Sequence, residues 1–338
     1  MDLGGTSISA IVPNYNHGAL IGDAVKALAG QVPPPDEIIV VDDCSTDASV
    51  AIIRGLAEQY PRLRLIQLES NRGAIAALNE GLAAARGTYI YFGAADDFVR
   101  PDLFASSLEM LKRFPQAAFA CCEAIVLDRE TGVRSPRPPI RPAHRAAYFP
   151  PAKVASLLRR CDNWIITGSA LARRELIAEA GGFDGALGSF ADGYLFRRLA
   201  LRHGCCFIPR AGVVWQISHT GYSRSFVTDA AASARLLREA TRRLRSDTAF
   251  PPWYAQMFAR RWRFAVGRLA VLSDPFNESV LRNVSARGRP GKLIVGLGIA
   301  IGGRTGRIGI LGWLFLREHP MSAWGLIRTM IARRLFSP

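Results

Sequence analysis

The chain alternates between short, wholly apolar runs and longer mixed stretches, the pattern of buried parallel strands covered by helices on both faces. Ile38-Ile39-Val40-Val41 is such a run; it ends in Asp42-Asp43, and Ser45, Thr46 and Asp47 then supply oxygens that can cap the next helix. Gly87-Thr88-Tyr89-Ile90-Tyr91-Phe92 predicts another strand that runs into a carboxylate pair, Asp96-Asp97, with a helix start at Pro101-Asp102. A first strand is predicted within the opening ten residues, a short strand over Ala211 to Val214, and a helix from Gly193 to His203. The class is α/β.

In open α/β sheets ligands bind beyond the carboxyl ends of the strands, which puts Asp42 and Asp43 at a ligand crevice. Adjacent carboxylates repel, so a site that keeps Asp96 and Asp97 both ionised needs a cation or hydrogen-bond donors. Mg²⁺ or Mn²⁺ shared with a diphosphate would meet that need, because these ions favour oxygen ligands and bridge carboxylates to phosphate oxygens. The plainer alternative for each pair is a solvated turn between strand and helix.

Several motifs in one order resemble the inverting glycosyltransferases of family 2. They are Ser9-Ala10-Ile11-Val12-Pro13-Asn14-Tyr15-Asn16, then Asp36 through Asp47, then Asn71-Arg72-Gly73 with Asn79, and then Gly87 through Asp97. The resemblance reaches to about Ser225 and implies a GT-A fold, a Rossmann-like mixed sheet flanked by helices that binds a nucleoside diphosphate sugar. It places Pro13 and Tyr15 beside the base, Asp42 or Asp43 at the base edge, and Asp96 and Asp97 at ribose and metal.

Trp164 through Arg174, Ala180-Gly181-Gly182-Phe183-Asp184 and Phe190-Ala191-Asp192-Gly193-Tyr194-Leu195 look like the family's acceptor side. Asp192 occupies the general-base position, while Ala191 stands where the family usually carries Glu, and Ala94 where many members carry a further Asp. Transfer with inversion needs a carboxylate opposite the leaving diphosphate to take the acceptor hydroxyl proton, the role the resemblance assigns to Asp192. Its alternative is to cap the helix that follows. The resemblance puts His219 near the diphosphate, as metal ligand or phosphate donor. Arg72 and Arg224 are secondary candidates, as forked donors suited to phosphate.

Charge is divided unevenly. The 338 residues carry a net charge of +15, yet Ala230 to Pro338 holds 19 Lys+Arg against 5 Asp+Glu, leaving 24 against 23 before it. The tail also holds two apolar stretches, Leu293 to Ile301 and Ile308 to Leu316, each short of the roughly 20 residues that span a bilayer. Arg-flanked apolar patches with Trp313, Phe315 and Trp324 suit an element lying at an anionic membrane interface; packing on its own core, or on a second copy in a homodimer, is the alternative. Cys44, Cys121, Cys122, Cys161, Cys205 and Cys206 lack metal spacing and read as small core residues in a reducing cytoplasm. No leader pattern of charged and then apolar residues opens the chain, so the expected location is the cytoplasm, at the inner face of the cell membrane.

The expected organisation is a nucleotide-sugar half over 1–114, an acceptor half over 115–228 within the same domain, and a helical basic tail over 229–338. Arg134 to Pro151, dense in proline, is expected to be a mobile loop near the acceptor groove or an inert surface excursion. The leading functional reading is transfer of a sugar from a nucleoside diphosphate sugar to a glycan or lipid-linked acceptor. Two others compete: a nucleic-acid binder acting through the basic tail, which no aromatic-basic motif or zinc framework supports, and a catalytically silent scaffold, which the retention of Asp96, Asp97 and Asp192 opposes.

Overall fold

The apolar runs become a sheet in the computed structural model, which describes residues 6–138, 141–217, 229–273, 276–286 and 288–318. The described residues of Met1–Leu157, Asp162–Gly185 and Ala191–Ser218 form one compact unit, and those of Leu158–Cys161, Ala186–Phe190 and His219–Pro338 form another.

In the first unit, strands β1 (Ile8–Asn14), β2 (Glu37–Asp42), β3 (Leu63–Gln67) and β4 (Tyr89–Phe92) alternate with helices α1 (Gly18–Ala29), α2 (Ser49–Gln59) and α3 (Ala74–Ala84). All four strands are parallel, in the order β3-β2-β1-β4. The chain continues through β5 (Phe98–Val99), α4 (Leu103–Arg113), β6 (Phe119–Asp128), β7 (Arg134–Arg137), β8 (Ala147–Phe149) and α5 (Pro151–Arg160). It ends this unit with β9 (Ala170–Arg173), α6 (Arg174–Glu179), α7 (Ala191–His203) and β10 (Cys205–Ile217). Strand β9 inserts antiparallel between β4 and β6, and β10 lies parallel to β6, so the sheet is mixed and continues through β9-β6-β10-β5. This is the α/β class expected from the apolar pattern.

Two inversions, at β4 to β9 and at β9 to β6, restore the original direction. The carboxyl ends of β1, β2, β4, β6 and β10 therefore share one edge of the sheet, where parallel strands hand over to loops and helices. Ile11, Ile39, Val40, Ile90, Phe119 and Phe207 are wholly or nearly buried along it. Helix α3 comes so close to β1 that a side chain at Gly81 would overlap Ile11.

Two expectations change. The late strand is not confined to Ala211–Val214 but runs thirteen residues, Cys205–Ile217, with register shifts between Ile208 and Ala211 and between Ala211 and Val213. Pro209 has no N–H for the ladder, and Gly212 packs against Leu103 and Cys122, so the alternation that marks a strand is broken in the middle. The proline-rich segment is not loop throughout: among its described residues β7 pairs with β6 and β8 with β10. Arg141 adds a two-pronged ion pair to the buried Glu123 of β6, at 2.6 and 2.9 Å, and the Arg137 guanidinium lies 5.0 Å from the ring centre of Trp215. Pro136 is accommodated because β7 is a short partner at the margin, and Pro151 opens a helix where no N–H partner is required.

The second unit contains α8 (Ala230–Ser246), α9 (Tyr254–Leu272), α10 (Gly288–Ile301) and α11 (Gly303–Glu318), with a short turn and a π-helical turn over Glu278–Val280 and Leu281–Ser285. Gly302 and Gly303, both at positive φ, separate α10 from α11. Val266, Val271, Val280, Leu281, Val295, Ile310 and Leu314 close a core of this unit. Some of its apolar side chains face outward: Leu293, Leu297 and Ile301 line one side of α10 at 64%, 54% and 64% exposure. Among the described residues no helix is long and apolar enough to cross a membrane.

The contact between α3 and β1 supplies a stability test. Gly81→Val must displace Ile11 or the helix, and should destabilise the fold by about 1–3 kcal/mol, read as a lower urea midpoint. An unchanged midpoint would show that α3 can move away from β1 at no cost.

Candidate functional site

The edge where the parallel strands end is built around carboxylates that bind backbone N–H groups. Asp42 is completely buried; one of its oxygens accepts from the Asn14 amide at 2.7 Å and the Ser45 hydroxyl at 2.6 Å, the other from the Ser45 N–H at 2.9 Å. It thereby ties the end of β1 to the end of β2. Asp43, 2% exposed, receives the N–H groups of Arg72 and Gly73, one on each oxygen and each at 2.7 Å. Gly73 has φ +86°, a conformation that favours glycine and aims its N–H at this carboxylate at the start of α3.

Asp47 bridges two helix starts, accepting from Gly18 N at α1 and from Ser49 N at α2, both at 2.9 Å. Hydrogen bonding by Ser49 is the largest influence holding its carboxyl below the usual range, partly opposed by desolvation. Asn16 completes this frame: it adopts φ +54°, and its side-chain oxygen accepts from Thr46 N at 2.8 Å. Tyr15, between these anchored positions, remains 42% exposed, and Pro13 is half-buried in β1 beside Val41.

Thus Pro13, Tyr15, Asp42 and Asp43 gather at the ends of β1 and β2, but they differ in what remains free. Asp42 and Asp43 spend their oxygens on the loop, whereas Tyr15 presents a ring to solvent. The Arg72 side chain lies over α3, 2.8 Å from Glu80, while its backbone serves Asp43. Asn79 links the two sequence halves: its amide donates to Phe183 O at 2.9 Å and accepts from Phe183 N at 3.0 Å.

Asp96 and Asp97 follow β4 in a tight turn, with Asp97 N donating to Ala94 O at 3.3 Å. Gln216 of β10 fixes this turn from the side. Its N–H reaches Asp97 at 3.0 Å and its side-chain amide reaches the Asp96 carbonyl. Burial and then the Asp96 charge push the Asp97 carboxyl up to about 8, with only the Gln216 N–H acting in the opposite direction. Tyr91, buried beneath, donates to Gly168 O at 2.8 Å and is itself raised, chiefly by burial and then by Asp97. A Cβ at Gly168 would stand 3.8 Å from Asp97, so the turn Thr167–Ser169 borders the acidic pair.

Two adjacent carboxylates, one with its charge unmet, suit a hard divalent ion that takes its remaining oxygens from a diphosphate and water. Among the described residues no group of three or more His, Cys, Asp or Glu side chains meets, so the protein's share of such a site rests on Asp96 and Asp97. His219 and Arg224 lie outside the described residues.

Asp192 stands in the first turn of α7, half-buried, with one oxygen on Gly193 N at 2.6 Å. Residues four apart share a helix face, so Asp192 lies one turn before Phe196. Phe196 packs on Phe119 and Phe92, at centroid distances of 5.1 and 6.4 Å, which directs this face to the strands leading into the acidic turn. Arg197 secures the helix by donating to Gly193 O and Asp162 O and lying 3.8 Å from the Asp162 carboxylate.

Gln216, Tyr91, Arg197 and Asp162 were not singled out in the sequence. Tyr91 sits inside a strand motif and could have been found there; Gln216 and Arg197 carry no local signal, because their partners are 119 and 35 residues away.

The chain belongs to glycosyl transferase family 2, whose model matches residues 9–179. It is 33% identical over 227 residues to the succinoglycan biosynthesis protein ExoO of Rhizobium meliloti (strain 1021), covering 64% of this chain and 62% of that protein. It is 38% identical over 125 residues to the uncharacterized glycosyltransferase YibD of Escherichia coli (strain K12), covering 37% and 36%. The chain therefore spans less than two thirds of either relative.

Two solved structures share its fold. Residues 1-349 of S. aureus TarS in complex with UDP-GlcNAc give a TM-score of 0.62 at 14% identity, covering 98% of this chain and 92% of that one. The mannosyltransferase PcManGT from Pyrobaculum calidifontis, in complex with GDP-Man and Mn²⁺, gives 0.56 at 22% identity, covering 99% and 90%.

The raised Asp97 carboxyl sets a pH test. The unfolded chain releases this proton near pH 4, whereas the folded protein holds it until about 8. Across that interval only the folded state keeps the proton, so wild-type stability falls as pH rises. The melting temperature of Asp97→Asn should accordingly gain on wild type from pH 4 to 8 and level off above. Mn²⁺ should narrow the gap by stabilising wild type alone. A gap independent of pH would show that Asp97 ionises as an ordinary carboxylate.

Proposed function

We propose that the protein transfers a sugar, with inversion, from a nucleoside diphosphate sugar to a glycan or lipid-linked acceptor. The observation that carries this reading is the acidic turn Asp96-Asp97 at the sheet edge, bordered by the turn Thr167–Ser169, together with the half-buried Asp192 in the first turn of α7. The UDP-GlcNAc and GDP-Man complexes of the two structural neighbours support the donor class. Relatives named for succinoglycan and teichuronic acid biosynthesis support a cell-envelope acceptor.

In this reading Pro13 and Tyr15 flank the base. Asp43 acts on the nucleotide through the loop that it shapes, and Asp42 by joining the strands on either side. Asp96 faces the ribose, Asp97 holds the cation, and Arg72 is placed near the base of the same loop. His219 is a further candidate metal ligand. A bound Mg²⁺ or Mn²⁺ would stabilise the charge that develops on the departing diphosphate.

Asp192 accepts the proton of the acceptor hydroxyl as that oxygen forms its bond to the anomeric carbon. The bond from that carbon to the diphosphate breaks on the opposite face, its electron pair leaving with the diphosphate. Ala191 is fully buried, which leaves Asp192 as the carboxylate of that helix start. Asp192→Asn keeps the shape and removes the base, so turnover should fall by about 10² or more while nucleotide affinity stays close to wild type. The assay is release of nucleoside diphosphate from a panel of UDP-, GDP- and dTDP-sugars with Mn²⁺, and EDTA should abolish it. Near-normal turnover in Asp192→Asn would place the base elsewhere.

The same proposal locates the protein at the inner face of the cell membrane. Support comes from the outward row Leu293, Leu297 and Ile301 on α10, with Lys292 and Arg289 on the same helix. Since Val295, Ile310 and Leu314 are buried in the unit's core, removing these helices would also expose that core. Point substitutions are the cleaner test. Leu293→Glu with Leu297→Glu should release the protein from anionic liposomes and leave its melting temperature little changed. Wild-type protein that ignores liposomes of every composition would rule out the membrane reading.

A further inference from the structure

Helices α8 and α9 border an open cleft of about 650 Å³ whose lining is basic. Arg238, Arg242 and Arg245 recur on α8 at the i, i+4, i+7 spacing that makes one helix face. Across from them, Ala255, Ala259 and Arg263 recur on α9 at the same kind of spacing. The alanines are too small to fill the space between the helices, which keeps the cleft open while Arg263 adds a fourth guanidinium. No acidic side chain lines it.

Glu239 is the nearby counter-charge, and it is divided between Arg242 and Arg243 on α8. Arg238 and Arg245 are exposed and make no ion pair with any described residue. Like charges three and four residues apart on a helix repel, so concentrating them on one face is unfavourable without an anion between them. The volume lies in the range of small-ligand pockets, which distinguishes the cleft from a flat polyelectrolyte surface. Forked guanidinium groups match phosphate oxygens in pairs.

We propose that this cleft is a second anion site, which binds a ligand of the diphosphate class carried by a lipid headgroup or free in solution. It is carried by α8 and α9 alone and does not rest on the donor reading of Asp96 and Asp97. A lipid-borne diphosphate would bring an anchored acceptor or an anionic membrane component to the same helical unit that exposes the apolar row of α10. A free diphosphate would make the cleft a sensor of phosphate-rich solutes.

Calorimetric titration of the full chain with inorganic pyrophosphate, in EDTA so that no cation assists, tests the site. Wild type should bind saturably with one-to-one stoichiometry. Arg238→Gln with Arg245→Gln should weaken binding at least about tenfold, and Arg260→Gln with Arg268→Gln, the same charge loss on exposed positions of α9 outside the cleft, should not. Asp97→Asn should bind pyrophosphate like wild type, which separates this site from the donor site.

Geranyl diphosphate is the remaining probe. Tighter binding of it than of pyrophosphate, lost in the Arg238/Arg245 variant, assigns the site to a lipid-borne diphosphate; equal or weaker binding assigns it to free diphosphate. Absence of saturable binding, an equal loss in both double variants, or binding confined to duplex DNA would overturn the proposal.

Discussion

Backbone N–H groups at the carboxyl edge of a parallel sheet must find acceptors once the strands end, and the loops of this protein supply them largely as aspartates, Asp42 and Asp43 buried and Asp47 exposed. Asp43 takes two such groups, Asp47 takes one from each of two helix starts, and Asp42 takes one together with two side-chain donors. A carboxylate with several donors is held in its charged form and in one orientation. The edge is rigid because these three residues are satisfied. Removing any one would take an acceptor from backbone N–H groups at Ser45, at the turn into α3, or at the starts of α1 and α2.

Asp96 and Asp97 obey the opposite rule. Their turn receives Gln216, but only one of its two donors meets a carboxylate; the other goes to a carbonyl. Burial and mutual repulsion then dominate at Asp97. A carboxyl held neutral on a rigid edge is a usable one, since a cation that displaces its proton can bind without rearranging the surroundings. Carboxylates of one residue type thus divide into those that build the edge and those that remain available to bind. Environment makes the division.

That division explains what the sequence made legible. The strands β1, β2 and β4, the acidic pairs and the helix starts after Asp47 and at Pro101-Asp102 depend on contacts within a few residues or on strands buried on both faces, and such features leave a local pattern. Asp42, Asp43, Asp96 and Asp97 look equivalent as letters, because their donors come from Asn14, Arg72, Gly73 and Gln216, far apart in the chain. Strand β10 extends beyond the apolar pattern of Ala211 to Val214 because its register shifts around Pro209 and Gly212 interrupt that pattern. Proline content argues against strands in general, yet β7 and β8 pair at the margin, and only β7 holds a proline, Pro136.

The tail shows why composition alone could not separate its roles. Its apolar residues belong to two populations on the same helices: Val295, Ile310 and Leu314 turn inward to the core, while Leu293, Leu297, Ile301 and Leu316 turn outward. An average over α10 and α11 mixes the two and suggests a single amphipathic element. Its arginines divide in the same way. Arg307 donates to the carbonyls of Val271 and Ser273 and so helps the unit fold, whereas Arg238 and Arg245 are left facing an open cleft. Net charge counts these residues equally, yet only the second kind leaves a field that an incoming anion can neutralise. The basicity of the tail therefore carries a functional signal where geometry concentrates unpaired guanidinium groups, on the α8 face opposite Ala255 and Ala259.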